Sequence, residues 1–463
     1  MLAVLLLLLF MAPIPLGSKH PLGALFLTTA SLVLTSIWIA TSAITGALTH
    51  TMGRRERLIA LAFSLFTAYV FLSSAPLSIE SVRLLNPAAA AHYESVPDFD
   101  PASPVALSLD RGATLERALR SAAMTAVFVV LLCVLQSSRR IKLFAYGLAA
   151  AGIAHAAFAL VDMQFSGAIF RQPIAEIALS TFSIAGTYTN RNHFAGLMEL
   201  TLALTVSFYF LRSRYRRTGK GWRSIVRRVF TYFFSGSIWY LIATLPPLLA
   251  LLFSASRGGA LSALGALVIS LGLVAYKKRG GAAPARMVTT GVLIIPLIGA
   301  SILAIDSLLE RVERNGLLDD SRYELRQLAY RVFSDYPVFG TGSGTFRHIY
   351  PAYETQPFST GKMLHHVHND YLELLLENGI IGFALFGGGI LLWLVTMCDV
   401  RLNNNSRCSF AISIGCFAGV VALLIHSLVD WNLQIPANAL WFTTFLALGL
   451  AARRDANTNK VQA

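Results

Sequence analysis

The sequence predicts an all-α polytopic membrane protein with about twelve transmembrane helices. Of its 463 residues, 55% are hydrophobic and only 13% are charged, and the mean hydropathy is +0.60. A soluble chain typically has about a quarter of its residues charged. This chain has too few charges to cover the surface of a soluble globule, so lipid is expected to be its main solvent.

Twelve apolar stretches account for the predicted spans. A helix needs about 20 mostly apolar residues to cross the hydrocarbon, because its backbone groups find no water there. The first stretch is short and contains Pro13 and Pro15, but it lacks a basic n-region and a clear cleavage site, so we interpret it as a helix rather than a signal peptide. The predicted spans are 2–16, 22–45, 58–76, 121–136, 143–161, 193–211, 232–253, 259–276, 287–305, 379–397, 410–429 and 438–452.

Basic residues are distributed in a way that predicts the orientation of the chain. With the N-terminus in the cytoplasm, all six inner segments contain Lys or Arg, and most acidic residues lie on the outer side. The C-terminus is then cytoplasmic as well. The chain divides into spans one to nine with an outer loop at 77–120 (residues 1–305), a large outer loop (306–378), and spans ten to twelve with a cytoplasmic tail (379–463).

The net charge of +14 does not indicate a nucleic-acid partner. The basic run from Arg212 to Arg228 adjoins the end of a predicted span, where basic residues typically meet anionic lipid headgroups. The four cysteines have no CxxC spacing, so the sequence predicts neither a disulfide framework nor a zinc site. The lipid bilayer is therefore the expected partner of these charges.

The two long outer loops are the expected location of function. Within loop 77–120, the Pro/Ala-rich segment from about Asn86 to Pro104 is predicted to lie along the outer surface. Loop 306–378 is long for a simple connection, and the helical pattern at Ser321–Phe333 predicts a lid of short helices. Its Gly340-x-Gly-x-Gly344 segment fits a phosphate cradle or a turn with positive φ. The turn is favoured, because no strand precedes the segment and no Walker lysine follows it.

Three histidines precede the tenth predicted span. His365, His366 and His368, together with Asp370, offer the ligand types of a zinc or iron site. Adjacent histidines on a helix point apart, however, so we expect no metal there. His368 begins an amphipathic stretch at the outer membrane boundary, where a neutral imidazole can accept a proton near neutral pH. A structural role for this histidine remains the alternative.

Two arginines lie beside predicted spans on the same side as His368. Arg191 precedes the sixth span, and Arg257 lies in a short turn between the seventh and eighth. Arginine close to hydrocarbon is costly unless it is paired, which makes both candidates for a functional site. Snorkelling, or a structural pair with Glu176 or Glu199, also explains them. Two guanidiniums and one imidazole suit a diphosphate leaving group and a hydroxyl nucleophile.

The residues around these arginines favour the interpretation of an anion site. Asn190 and Asn192 flank the first arginine, and Gly258 and Gly259 follow the second. Amide side chains and accessible backbone N–H groups at the start of a helix can converge on an anion. The sequence therefore predicts that both helix starts contribute to one anion-binding site.

At these residues the sequence resembles the O-antigen ligase and O-antigen polymerase superfamily of bacterial envelope glycan enzymes. The resemblance covers nearly the whole chain in span number and loop placement. It is most specific in the segments Gly186-Thr-Tyr-Thr-Asn-Arg-Asn-His-Phe-Ala-Gly196, Ser256-Arg-Gly-Gly259, Tyr336-Pro-Val-Phe-Gly-Thr-Gly342, His368-Asn-Asp-Tyr-Leu-Glu373 and Glu377-Asn-Gly-Ile-Ile-Gly382.

The resemblance implies transfer of a glycan from undecaprenyl diphosphate to an acceptor hydroxyl at the periplasmic face of the bacterial inner membrane. It implies no metal, nucleotide sugar or other cofactor, and an architecture that resembles inverting membrane glycosyltransferases with a large helical periplasmic loop. His368 would be the base, and Arg191 and Arg257 would hold the diphosphate. Arg322 would be a further contact to diphosphate or sugar. The secondary candidates are His366, Asn369 and Asn190.

The acceptor stays open at this point. A ligase uses a lipid A-core acceptor, and the preferred reading is a ligase; a polymerase uses a second lipid-linked glycan, and a protein O-glycosyltransferase uses Ser or Thr. A transporter is disfavoured because transporters place ionisable residues at the bilayer midplane. Here only Asp162 and Glu199 are predicted near a span interior.

Overall fold

The computed structural model describes residues 1–46, 52–165, 184–212, 237–277, 320–354, 364–400 and 406–458. The described residues form α-helices, and their β-type pairing is an isolated bridge between Leu77 and Val105. The helices are α1 Leu2–Met11, α2 Pro21–Ile44, α3 Arg54–Ser73, α4 Ile79–Leu85, α5 Pro87–Glu94, α6 Arg111–Val134, α7 Ser138–Gln164, α8 Arg191–Arg212, α9 Ser237–Phe253, α10 Arg257–Lys277, α11 Asp320–Asp335, α12 Phe346–Ile349, α13 Asp370–Cys398, α14 Arg407–His426 and α15 Pro436–Thr458.

The described part of the chain contains six helices that are long and apolar enough to cross a membrane, namely α2, α3, α6, α7, α13 and α14. Shorter apolar helices are Leu2–Met11, Ile238–Phe253 and Arg257–Ser270. Within the described residues, the prediction of an all-α chain with several helices able to cross a membrane is therefore confirmed, and the number of twelve spans stays a prediction. Eleven of the twelve predicted spans overlap a helix, and the ninth, 287–305, lies outside the described residues.

The first predicted span, 2–16, is shorter in the structure than expected. Helix α1 has 10 residues, or about 15 Å at 1.5 Å per residue, which is half of the hydrocarbon thickness of about 30 Å. Pro13 and Pro15, which carry no N–H to continue a helix, follow its end. One face of the helix packs against the bundle, where Trp441 Nε1 donates a hydrogen bond to the carbonyl of Leu9 at 3.0 Å, while Val4 and Leu7 are exposed.

The bundle core is centred on α14, which packs against α8, α10 and α15. Small residues allow these helices to approach closely. A Cβ atom added to Gly415 would lie 2.5 Å from Oγ of Ser207 on α8. Large aromatic side chains fill the remaining space, and buried Trp393 on α13 donates a hydrogen bond from Nε1 to the carbonyl of Leu446 at 2.9 Å.

One end of the bundle gathers the predicted inner segments. Asp399, after α13, contacts Arg55 at 2.8 Å and Arg453 at 3.0 Å. Arg454 on α15 pairs with Glu56 on α3 at 2.7 Å. Segments that the charge pattern assigns to the same side of the membrane are thus held together by ion pairs.

The opposite end carries a cap of short helices built from both predicted outer loops. Helices α4 and α5 of the first loop pack on α11 and α12 of the second around a separate hydrophobic cluster. Leu77 and Val105 exchange backbone hydrogen bonds of 2.8 and 3.0 Å at the base of the cap. The pattern at Ser321–Phe333 predicts a helix in loop 306–378, and α11 spans Asp320–Asp335.

The glycine segment of the second loop fastens the cap to α13. Gly340, Gly342 and Gly344 have φ of 76°, 107° and 81°, so the structure has the turn geometry that the sequence favours. The backbone N–H of Gly342 donates a hydrogen bond to the carbonyl of Glu377 at 2.7 Å, so this donor is already satisfied within the protein. Helix α13 breaks at Gly379, where φ is 59°. Its first residues belong to the cap, and the remainder continues into the bundle.

Candidate functional site

The predicted site residues converge on the segment that follows α14. Asn192, at the start of α8, donates from Nδ2 to Oδ2 of Asp430 at 2.6 Å. The start of α10 reaches the same segment, because a Cβ atom on Gly258 would lie 2.8 Å from Nε2 of His426. The loop before α13 brings His368 beside Asp430. Three segments far apart in the sequence thus meet at one end of the bundle.

The imidazole of His368 faces a buried carboxylate. His368 has φ of 56°, a left-handed conformation that costs energy for a residue with a side chain. Its Nδ1 lies 3.5 Å from Oδ1 of Asp430, and the side chains are 35% and 1% exposed. A carboxylate at this position favours the tautomer with a proton on Nδ1. The other nitrogen, Nε2, is then free to accept a proton.

Several polar groups hold Asp430 in place. The backbone N–H of Trp431 donates to Oδ1 at 2.8 Å, while Asn192 occupies Oδ2. His193 Nε2 lies 3.6 Å from the same Oδ1 that faces His368. Burial opposes ionisation of this carboxyl, but contacts with His193 and His368 outweigh it and lower the pKa of Asp430. Asp430 is therefore an anion fixed beside the imidazole.

His366 has a different environment from His368. Its ring stacks on Trp431 with centroids 3.8 Å apart and an interplanar angle of 18°. Its Nδ1 lies 2.6 Å from Oε1 of Glu373, whose Oε2 accepts a hydrogen bond from the N–H of Val367. Burial, followed by the positive charge of Arg117, lowers the pKa of His366 well below its usual value. These contacts are those of a neutral, packed side chain.

The two asparagines among the secondary candidates organise helix starts. Asn369 accepts hydrogen bonds from the N–H groups of Tyr371 and the next residue at 3.0 Å each, so it caps α13. Its Nδ2 donates to the carbonyl of Leu428 at 2.9 Å, which ties the loop of His368 to the segment of Asp430. Asn190 accepts from the N–H of Asn192 at 2.8 Å at the start of α8.

The two predicted diphosphate ligands are the first residues of their helices. Arg191 begins α8 and Arg257 begins α10, next to the residues that contact Asp430 and His426. Helix N-termini present N–H groups and a partial positive charge, which favours an anion. Arg322 lies in α11, apart from this pair in the chain, and its side chain is outside the described part of the structure.

Within the described residues, no group of three or more His, Cys, Asp or Glu side chains is arranged to hold a metal ion. The histidines and Asp370 that form the alternative metal site in the sequence make separate contacts in the structure. His368 faces Asp430, and Asp370 accepts a hydrogen bond from Ser427 Oγ at 2.7 Å. The expectation of a site without metal therefore stays a prediction for experiment.

The sequence does not identify Asp430 as a site residue, and it suggests an arginine as the partner of Glu199. Asp430 lies in a short outer connection, where acidic residues are common in this chain, so nothing in the sequence distinguishes it. Glu199, a possible arginine partner by sequence, is 2.7 Å from Nδ1 of His426 instead. A Cβ on Gly259 would lie 3.0 Å from Oε1 of Glu199, so the second glycine after Arg257 makes room for this buried pair.

Comparison with known families supports the resemblance found in the sequence. Residues 241–387 match a family model described as O-antigen ligase. The match confirms that the chain resembles the O-antigen ligase and polymerase superfamily in this segment. The matched segment includes Arg257 and His368, whereas Arg191 and Asp430 lie outside it. A search of curated proteins gives no match.

Proposed function

We propose that the protein transfers a glycan from undecaprenyl diphosphate to an acceptor hydroxyl, with His368 as the general base. The observation that carries this proposal is the contact of 3.5 Å between His368 Nδ1 and Asp430 Oδ1, at a point reached by two helix N-termini that begin with arginine. Base, orienting acid and anion-binding groups are the parts that such a transfer needs.

The reaction follows from these positions. Nε2 of His368 takes the proton of the acceptor hydroxyl as its oxygen attacks the anomeric carbon of the donor sugar. The bond between that carbon and the diphosphate oxygen breaks with inversion, and undecaprenyl diphosphate leaves with the electron pair. Asp430 stabilises the imidazolium that forms. Proton removal by a positioned base contributes about 10²–10⁴-fold to such a rate.

Arg191 and Arg257 stabilise the departing diphosphate. A lipid diphosphate is already a good leaving group, so the enzyme has to supply orientation and charge stabilisation more than bond activation. Guanidinium groups stay charged at any accessible pH and bind phosphate oxygens in a planar fork. This chemistry requires no metal and no cofactor.

The charge pattern supports a periplasmic location for the site, in a bacterial inner membrane. The end of the bundle rich in ion pairs, around Asp399, collects the segments with the basic residues expected in the cytoplasm. His368 and the helical cap lie at the other end. The N- and C-termini are proposed to be cytoplasmic.

We favour a ligase with a lipid A-core acceptor over a polymerase with a second lipid-linked glycan. Purified protein is given lipid-linked repeat units alone, and then with a core-type acceptor, and the products are separated by size. A ligase forms a single added product only when the acceptor is present. A ladder from donor alone identifies a polymerase. If no acceptor is modified and no undecaprenyl diphosphate is released, the enzyme assignment is contradicted.

A further inference from the structure

A second set of cations surrounds a cavity next to the proposed site. The cavity has a volume of about 290 Å³ and is lined by Lys19, Arg117, Arg120 and Arg347, among others. These residues come from the start of the chain, from α6 and from α12, so the fold itself brings the charges together. Neither of the arginines proposed to bind the donor is among the lining residues.

The described residues neutralise this positive charge only in part. Arg120 forms an ion pair with Glu116 at 2.6 Å. Arg117 donates from Nη1 to the neutral amide oxygen of Gln434 at 2.7 Å, and Lys19 Nζ lies 4.8 Å from the centroid of Trp431. Burial lowers the pKa of Lys19. Clustered cations in a partly desolvated cavity repel each other, so a bound anion would stabilise them.

Three carboxylates line the cavity, namely Glu116, which pairs with Arg120, and the buried Glu373 and Glu377. Glu373 and Glu377 are only 1% and 3% exposed. Glu373 is used by His366 and by a backbone N–H, and Glu377 accepts from the N–H of Phe346 at 3.1 Å. Their oxygens bind the protein itself. The surface that remains for a ligand is therefore mainly cationic.

Trp431 separates the cavity from the base. The indole lines the cavity, and its ring centroid is 6.2 Å from that of His368, with the rings nearly perpendicular at 86°. His366, which also lines the cavity, stacks on the same indole. An anion in the cavity would thus lie about one indole width from the base. A sugar that carried the anion could direct a hydroxyl towards His368.

We propose that this cavity is the acceptor subsite and binds an anionic group, phosphate or carboxylate, on the acceptor sugar. The inference rests on the proposed function, since it supplies the acceptor half of that transfer. Lys19, Arg117 and Arg347 provide the charge-assisted hydrogen bonds. The volume lies near the lower limit of ligand pockets, about 300 Å³, and suits one charged sugar unit.

The test uses Arg117→Gln and Arg347→Gln in the full chain, with Arg326→Gln as the matched control. Arg326 is an exposed arginine of α11 in the same cap and does not line the cavity. Transfer kinetics are measured with acceptors that carry a phosphate, a carboxylate or no charge. We expect the wild type to prefer one anionic acceptor. Each cavity variant should raise KM for that acceptor about 10- to 100-fold, as loss of a hydrogen bond to a charged group does, with a smaller change in kcat.

A direct binding measurement separates this inference from the proposed function. Calorimetry with glucose 6-phosphate, glucuronate and glucose reports on the cavity without any transfer. Binding of one anionic sugar that is lost in Arg117→Gln but kept in Arg326→Gln supports the subsite even if no transfer is found. Equal binding of all three sugars, or a variant that raises KM for the donor rather than the acceptor, overturns the inference.

Discussion

Replacing Asp430 with Asn tests whether the carboxylate positions the base. Asn is close to Asp in shape, but it carries no charge and can place an N–H towards His368 instead of an oxygen. The imidazole then loses the partner that favours a proton on Nδ1, and the imidazolium formed during transfer loses its counter-charge. We expect a large loss of turnover with donor binding close to normal.

The magnitude follows from the distance between the groups. Unit charges 3.5 Å apart interact by about 5 kcal/mol at an effective dielectric constant of about 20. His368 is 35% exposed and His193 shares the same oxygen, so solvent and the second histidine reduce this value. A net loss of about 2–3 kcal/mol corresponds to roughly 10²-fold in rate.

The assay is release of undecaprenyl diphosphate by purified protein. In the Asp430→Asn variant this release should fall while donor binding, measured in parallel, stays close to normal, because the change affects the proposed base and not the donor contacts. Asp430→Glu should recover part of the rate. Asp399→Asn, which removes a half-exposed carboxylate from the opposite end of the bundle, is the matched control and should stay within about twofold of wild type. If Asp430→Asn retains more than half of the wild-type turnover, Asp430 does not position the base.

Four further outcomes are expected. His368→Ala lowers transfer by about 10²–10⁴-fold in protein that still inserts and folds, whereas His366→Ala has a much smaller effect; more than half of wild-type activity in the first variant would make His368 structural. Arg191→Lys and Arg257→Lys weaken donor binding and turnover, because a point charge does not replace a planar fork; unchanged values in both assays would remove them from the site. Transfer survives exhaustive chelation with EDTA, and a loss restored by one added metal would revive the metal interpretation. Because the pKa of His366 is lowered in the folded protein, stability is complete above the unfolded value of about 6.5 and decreases as pH falls below it; melting temperatures at about pH 8 and about pH 5 should differ less in His366→Gln than in wild type.

Hydropathy was a good predictor of the helices because each span is specified locally. A run of apolar residues has to form a helix in lipid wherever it occurs, since no other partner exists for its backbone groups. The first stretch is the exception, because Pro13 and Pro15 end α1 after 10 residues. Hydropathy could not show this shortening, since both prolines lie within an otherwise apolar stretch.

The candidate site was predictable only in part. Arg191, Arg257 and His368 are unusual for their positions beside hydrocarbon, so their residue types alone drew attention. Asp430 is an ordinary residue for an outer connection, and its role depends on a partner such as Asn192, which is 238 positions away. No local pattern encodes a contact of that separation.

The same contacts explain how asparagines of the motifs hold the proposed base in place. Asn369 fixes the loop of His368 to the carbonyl of Leu428, while Asn192 fixes α8 to Asp430. The base and its carboxylate lie on different segments, so the distance between them is set by these two hydrogen bonds and by the left-handed backbone at His368. Loss of either asparagine should therefore reduce transfer through misplacement of the base, even though neither side chain takes part in the chemistry.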